Sequence, residues 1–150
     1  MSHQEIPTGG LRAFFERFQS LSAASDGEGL VAMYAGHVMI AGANGAQVVS
    51  SADIQRAIPK RKQLLESVGY QDTALVGFEE TALSDRYSLV RAQFQWHFTA
   101  ASGQPATVTL PSIFVVDRGG DSPHIVLYLN ERDVVRVLRE RGVLAPVPTP

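Results

Sequence analysis

Tyr34 and His37 are the residues whose types best fit acid–base chemistry, and they lie close together in the segment Tyr34-Ala-Gly-His37. A histidine acts as a general acid or base near neutral pH, and a tyrosine hydroxyl can orient an oxygen atom of a substrate. The alternative interpretation is structural: His37 is an ordinary strand residue, and Tyr34 is a core aromatic with a solvated hydroxyl.

Aromatic side chains form the second group of candidates. Phe94, Trp96 and Phe98 alternate along one predicted strand and therefore fall on one face of it. Together with Phe14 and Phe18 of the first predicted helix, they would line an apolar, ligand-binding pocket. The alternative is plain core packing that leaves no cavity.

Two further residues are candidates for ligand binding. Ser112 is a polar residue in phase with Leu110 and Phe114 on an apolar strand face, although no G-x-S-x-G motif surrounds it. Tyr128, on the last predicted strand, either reaches the pocket or faces outward. Asn130, two residues later, is interpreted as part of the cap of the final helix.

The polar residues of the longest predicted strand lie opposite its aromatic face. They are Arg91, Gln93, Gln95 and His97. The polar face of a half-buried strand points away from the core, so we expect this face to be solvated or to contact another subunit.

Composition excludes several classes of function. The chain has no cysteine, and its four histidines show no metal-ligand spacing, so we expect no metal site. A net charge of −2 without a basic stripe argues against nucleic-acid binding, and the absence of a phosphate-binding loop argues against a nucleotide cofactor. We expect no cofactor of any kind. No apolar run is long enough to span a bilayer and the start lacks the features of a secretory signal, so we expect a cytoplasmic protein with no membrane contact.

The order of predicted elements indicates an α+β protein. Apolar spacing predicts a helix over 11–21, a second helix capped by Ser25 and Glu28 and ending at Gly36, and a third from Ser50 to Gly69. Pro59 is expected to kink or divide the third helix. A short hairpin turns at Asn44-Gly45. Four longer strands follow at 74–83, 87–99, 107–117 and 124–129, before a final helix that ends at Gly142.

Helices first and strands second predict an antiparallel sheet rather than a βαβ wind. We expect one domain over residues 10–142, with flexible ends at 1–9 and 143–150 that together contain four of the eight prolines.

Two segments carry a resemblance to the nuclear-transport-factor-2-like (SnoaL-like) superfamily. The segment 30–40, Leu-Val-Ala-Met-Tyr-Ala-Gly-His-Val-Met-Ile, is similar to that superfamily's Tyr-Ala-Asp-Asp-Val region. The segment 125–130, Ile-Val-Leu-Tyr-Leu-Asn, is similar to its closing strand. The resemblance implies a cone-shaped, strongly bent antiparallel sheet packed against three N-terminal helices, with a short C-terminal helix.

The resemblance also implies a function. The junction of the second helix and first strand borders a pocket mouth in this superfamily, which makes His37 and Tyr34 the catalytic candidates for isomerase-, cyclase- or dehydratase-type chemistry on a small, apolar, oxygenated ligand. Dimers in the superfamily pair through the convex sheet face. This chain has Gly36-His37 where relatives often carry paired acids, and it lacks the carboxylates of ketosteroid isomerase. A non-enzymatic, homodimeric binding or accessory module is the alternative.

Overall fold

The computed structural model describes residues 10–130 and 132–142. The predicted flexible ends, 1–9 and 143–150, lie outside the described residues. The described chain forms four helices and six strands in this order: α1 Gly10–Ala23, α2 Gly27–Met33, β1 Tyr34–Gly42, β2 Gly45–Ser50, α3 Ser51–Ser67, β3 Tyr70–Ala82, β4 Tyr87–Thr99, β5 Pro105–Asp117, β6 His124–Asn130 and α4 Val134–Glu140. None of these helices has the length and apolar composition needed to cross a bilayer.

The start and end of α2 differ from the prediction. Asp26, not Ser25, is the N-cap, because its carboxylate accepts the Gly29 N–H while Ser25 has a left-handed φ of 52°. The helix ends at Met33 rather than at Gly36, since Tyr34 already has extended backbone angles. Tyr34 is therefore the first residue of β1.

Helix α3 begins where it was predicted to begin, directly after Ser50. It continues to Ser67 without the break that was expected at Pro59. Ser50 and Asp53 form a capping box, in which each side chain accepts the other residue's backbone N–H. Pro59 lies inside the helix but does not divide it. Its ring is on the exposed side, where losing one backbone hydrogen bond leaves a carbonyl that water can reach.

The sheet has the order β2-β1-β6-β5-β4-β3. Four neighbouring pairs are antiparallel, as predicted, and β1 and β6 are parallel, so the sheet is mixed. Short turns determine the direction of consecutive strands only. The chain between β1 and β6 is long enough to return β6 in the same direction as β1.

The core lies between the inner face of the sheet and the helices. Phe94 and Phe98 of β4 are buried on this face, as are Val108, Leu110 and Phe114 of β5. Leu11, Phe15 and Phe18 of α1 pack on part of it. A second cluster joins α4 to the end of β4 and β5, and Trp96 contacts both clusters.

The predicted alternation along β4 is confirmed. Arg91 and Gln93 are exposed on the outer face, and the His97 side chain is 39% exposed, whereas Trp96 is half-buried. The helices therefore cover the Phe/Trp side of this strand, and its polar side is open.

Candidate functional site

A cavity of about 780 Å³ lies between the helices and the inner face of the sheet. Its walls come from α1, α2, α3, the β1–β2 hairpin and the inner side chains of β4 and β6. A volume of this size lies within the usual range for pockets that enclose small molecules. The fold therefore leaves a space that the aromatic core does not fill.

The wall of the cavity is largely aromatic on one side. Phe18 lies edge-on to Tyr34, with ring centres 6.1 Å apart, and its ring centre is 6.3 Å from that of Phe94. Trp96 continues this wall toward Tyr70, at 5.9 Å. These rings offer a flat apolar surface to the body of a ligand.

Tyr34 and Tyr128 lie on neighbouring parallel strands and both line the cavity. Burial raises the pKa of Tyr34, and the nearby Tyr128 phenol raises it further, because two phenolates would repel each other. Neither hydroxyl has a hydrogen-bond partner within residues 10–130 and 132–142. Tyr34 therefore stays a neutral phenol at ordinary pH and can donate a hydrogen bond to a ligand oxygen.

Asn130 is the polar residue of the cavity that the sequence analysis missed. Its Oδ1 atom is buried, and in the described part of the chain nothing donates a hydrogen bond to it. The helix cap predicted for it belongs to Asp133, whose carboxylate accepts the Val135 N–H at 2.9 Å. The available signal was the spacing, because Asn130 and Tyr128 are two residues apart on one strand and so share a face.

A buried acceptor without a donor is costly. Leaving such a group unsatisfied costs about 1–3 kcal/mol. Asn130 is only partly buried as a residue and lines the cavity, so a small rotation of its amide brings Oδ1 to the cavity surface, where a ligand hydroxyl or N–H would remove that cost.

Arg61, in the basic run Lys60-Arg61-Lys62 of α3, is a further cavity residue that the sequence analysis did not single out. Arg61 lines the cavity, and its guanidinium lies 5.7 Å from the centre of the Trp96 ring. The signal was again spacing: Arg61 follows Ile58 by three positions and precedes Leu65 by four, on the inward face of α3.

Three other polar side chains in the cavity wall are already engaged. Gln19 Nε2 donates to the Thr73 carbonyl, and the Thr73 and Tyr70 hydroxyls are 2.7 Å apart. The Asp53 carboxylate caps α3 and pairs with Arg56. These groups hold the walls in place, and Tyr34, Tyr128, Asn130 and Arg61 are among the polar residues that can meet a ligand.

The structure brings together five of the nine residues predicted for the site. Phe18, Tyr34, Phe94, Trp96 and Tyr128 line the cavity. His37, Phe14, Phe98 and Ser112 do not.

His37 is exposed next to buried Val38, which puts its side chain on the opposite side of β1 from the core. Phe14 packs edge-on against Phe15, on the flank of α1 away from the cavity wall. Ser112 has the expected phase but is covered by core residues. The predicted pairing of His37 with Tyr34 is therefore absent.

The described residues contain no cluster of histidine, aspartate or glutamate able to hold a metal ion.

No protein-family model matches this chain, and no curated protein sequence matches it. Solved structures match its fold over most of its length. An NTF2-like protein with a cystatin-like fold from Novosphingobium aromaticivorans superposes with a TM-score of 0.68 at 16% identity, over 91% of this chain and 87% of that chain. A ketosteroid isomerase-like protein from Erwinia carotovora atroseptica gives 0.64 at 15% identity, over 81% and 92%.

The beta subunit of benzoate 1,2-dioxygenase from Burkholderia mallei gives a TM-score of 0.66 at 14% identity, over 95% of this chain and 96% of that chain. At such low identities the likeness establishes the fold alone. It confirms the predicted α+β class and the resemblance stated from the sequence.

Proposed function

We propose that this chain, which has the nuclear-transport-factor-2-like fold, binds a small ligand with an apolar body and a hydroxyl group. The observation that carries the proposal is the buried Oδ1 of Asn130, an acceptor without a donor in the described chain, inside a cavity walled by aromatic rings. The ligand hydroxyl donates to Asn130, and its body lies against Phe94 and Trp96.

Tyr34 supports binding rather than proton abstraction. Its raised pKa keeps the hydroxyl protonated, so Tyr34 acts as a hydrogen-bond donor and not as a base. The carboxylates of Asp53 and Asp133 in the cavity wall are engaged in helix caps. The arrangement suits holding an oxygenated molecule in a fixed orientation.

Trp96 gives a direct test, because it is the only tryptophan in the chain and lies in the cavity wall. Its fluorescence can be followed while saturated alcohols that do not absorb with it are added: adamantanol, decahydronaphthol and hydroxybicyclohexyl carboxamide. We expect at least one to change the emission saturably. No saturable change with any of the three contradicts the proposal.

Variants locate the binding site. Tyr34→Phe removes one hydroxyl from the cavity and should weaken binding about three- to tenfold, which corresponds to one neutral hydrogen bond of about 0.5–1.5 kcal/mol. Tyr87→Phe is the matched control, because Tyr87 is exposed and lies outside the cavity wall. Equal weakening by both substitutions would argue against binding in the cavity.

We also propose that two copies of the chain pair through the open face of the sheet. One row of apolar residues crosses this face from strand to strand: Leu89, Val115, Leu127, Met39 and Val48, each opposite the next. Met39 and Val48 are 40% and 63% exposed, which is unusual for a contiguous apolar row on a soluble surface.

The flanking charges favour a second copy over an unrelated partner. Glu79 and Arg91 are directly opposite each other at the edge of this row, so the face carries both signs. A twofold axis brings a patch onto itself, and a patch with an apolar centre and paired charges is complementary to its own copy.

The oligomeric state tests this contact. Met39→Glu combined with Val48→Glu should convert a dimer to a monomer in sedimentation equilibrium, because it would bury four carboxylates against an apolar row. Leu64→Glu is the control, since Leu64 is similarly exposed but lies on α3. A monomeric wild type, or a double variant that remains dimeric, contradicts the contact.

A further inference from the structure

Arg61 stands at the exposed edge of the cavity, away from the buried amide of Asn130. Helix α3 turns Ile54, Ile58 and Leu65 toward the cavity, and Arg61 falls on the same side. Its guanidinium lies over the Trp96 ring, at 5.7 Å from the ring centre. The ring limits the positions the guanidinium can take, so the charge is held beside the apolar wall.

The charged side chains of the cavity wall differ in whether they already have a partner. Asp53 is paired with Arg56 and hydrogen-bonded to the Ser50 N–H, and Asp133 caps α4. Among residues 10–130 and 132–142, Arg61 is the one cationic side chain in the wall, and no carboxylate lies within 4.0 Å of it. The wall therefore offers an available positive charge and no equivalent negative one.

An arginine at this place is suited to one kind of ligand group. Its planar fork of N–H donors matches the two oxygens of a carboxylate, and it stays charged over the whole accessible pH range. At the edge of an apolar cavity the interaction is less screened than on an open surface.

We infer that the ligand carries a carboxylate, which pairs with Arg61 at the cavity edge while the apolar body lies on Trp96 and the hydroxyl reaches Asn130. The inference rests on the proposed binding function and narrows it to hydroxylated, apolar carboxylic acids. The two polar ends of such a ligand fix its direction in the cavity, and its apolar middle supplies most of the buried area.

A matched pair of probes tests this inference. Hydroxybicyclohexyl carboxylate and its primary amide have the same rings and the same hydroxyl, and they differ in one charge. Dissociation constants from isothermal titration calorimetry do not depend on the Trp96 signal, which removing Arg61 would itself alter. We expect the wild type to bind the acid about tenfold more tightly than the amide.

Substitution of Arg61 should remove that preference specifically. Arg61→Gln keeps a long polar side chain and should bind acid and amide equally. Arg61→Lys keeps the charge without the fork and should retain part of the preference. Lys60→Gln is the control, because Lys60 is the neighbouring cation on α3 but is not part of the cavity wall, and it should keep the full preference.

The outcomes separate this inference from the function on which it rests. If the amide binds but the acid is not preferred, or the preference survives in Arg61→Gln, the carboxylate assignment is overturned while the pocket stands. If Lys60→Gln abolishes the preference as fully as Arg61→Gln does, the effect comes from general charge and the assignment to Arg61 is overturned. If neither probe nor any neutral alcohol binds, the proposed function itself is contradicted.

Discussion

Tyr34 of β1 and Tyr128 of β6 both line the cavity from neighbouring parallel strands, and Tyr128 raises the pKa of Tyr34 beyond what burial alone does. The two residues are not opposite each other: Tyr34 lies opposite Ile125, and Tyr128 lies opposite Ile40. The parallel pairing is thus what places two hydroxyl groups and the amide of Asn130 in one space.

The raised pKa of Tyr34 has a consequence for stability in alkali. An unfolded tyrosine loses its proton near pH 10, whereas folded Tyr34 keeps its proton to higher pH. Above pH 10 the unfolded chain therefore binds fewer protons than the folded chain, and the free energy of unfolding falls by about 1.4 kcal/mol per pH unit for this group.

Tyr34→Phe should abolish the part of the alkaline loss of unfolding free energy that Tyr34 causes. We expect urea denaturation of the wild type to lose about 1 kcal/mol more stability than the variant does between pH 10 and 11, by the same linkage. Tyr87→Phe should behave like the wild type. Equal losses in wild type and Tyr34→Phe would show that Tyr34 ionises as easily in the folded chain as in the unfolded one.

Substitutions of Asp133 and Asn130 should have different effects on the free energy of unfolding. Asp133→Ala removes the N-cap of α4 and should lower the free energy of unfolding by about 1 kcal/mol. Asn130→Leu replaces an unsatisfied buried amide by an apolar group of similar size and should leave stability unchanged or raise it. The two values come from one thermal or urea denaturation series, and a loss at Asn130 as large as that at Asp133 would return Asn130 to a structural role.

Gly69 should be far less tolerant of a side chain than Gly103, although both have φ near 83°. A Cβ on Gly69 would collide with the backbone carbonyl of Thr99, whose own N–H donates to the Gly69 carbonyl. A Cβ on Gly103 meets nothing within 4 Å. Gly103→Ala should cost about 1–2 kcal/mol for the left-handed backbone alone.

Gly69→Ala should cost several times as much, because it adds the collision to the same backbone penalty. Chemical denaturation of both variants makes the comparison. Similar losses at the two positions would mean that the junction between α3 and the end of β4 can open without cost.

The sequence was sufficient at two places where a local pattern decides the structure. The alternation of Phe94 and Trp96 with Gln95 and His97 predicted the faces of β4, because the side-chain period of a strand is two. Ser50 as a cap, with Asp53 near the positive end of the helix dipole, predicted the start of α3, because both effects act within the first turn of a helix.

The sequence was insufficient where distant segments meet. No local sequence pattern determines that β6 runs parallel to β1. Without knowledge of that pairing, the sequence alone suggests that Asn130 belongs to the cap of the following helix. The prediction that His37 lines the site failed for a similar reason. Helix α2 ends earlier than expected, and the position of that end determines which face of β1 carries His37. Whether aromatic residues fill a core or line a cavity depends on how three helices pack against the sheet. The spacing of residues along the sequence does not determine that packing.

The hydrogen bond between the ligand hydroxyl and Asn130 is the centre of this account, and a thermodynamic cycle measures it most directly. The affinities of hydroxybicyclohexyl carboxamide and its O-methyl ether, which lacks the donor, are compared in the wild type and in Asn130→Leu. The account predicts that the wild type prefers the alcohol about tenfold, close to 1.4 kcal/mol, and that Asn130→Leu shows no preference. An equal preference in both proteins would contradict it.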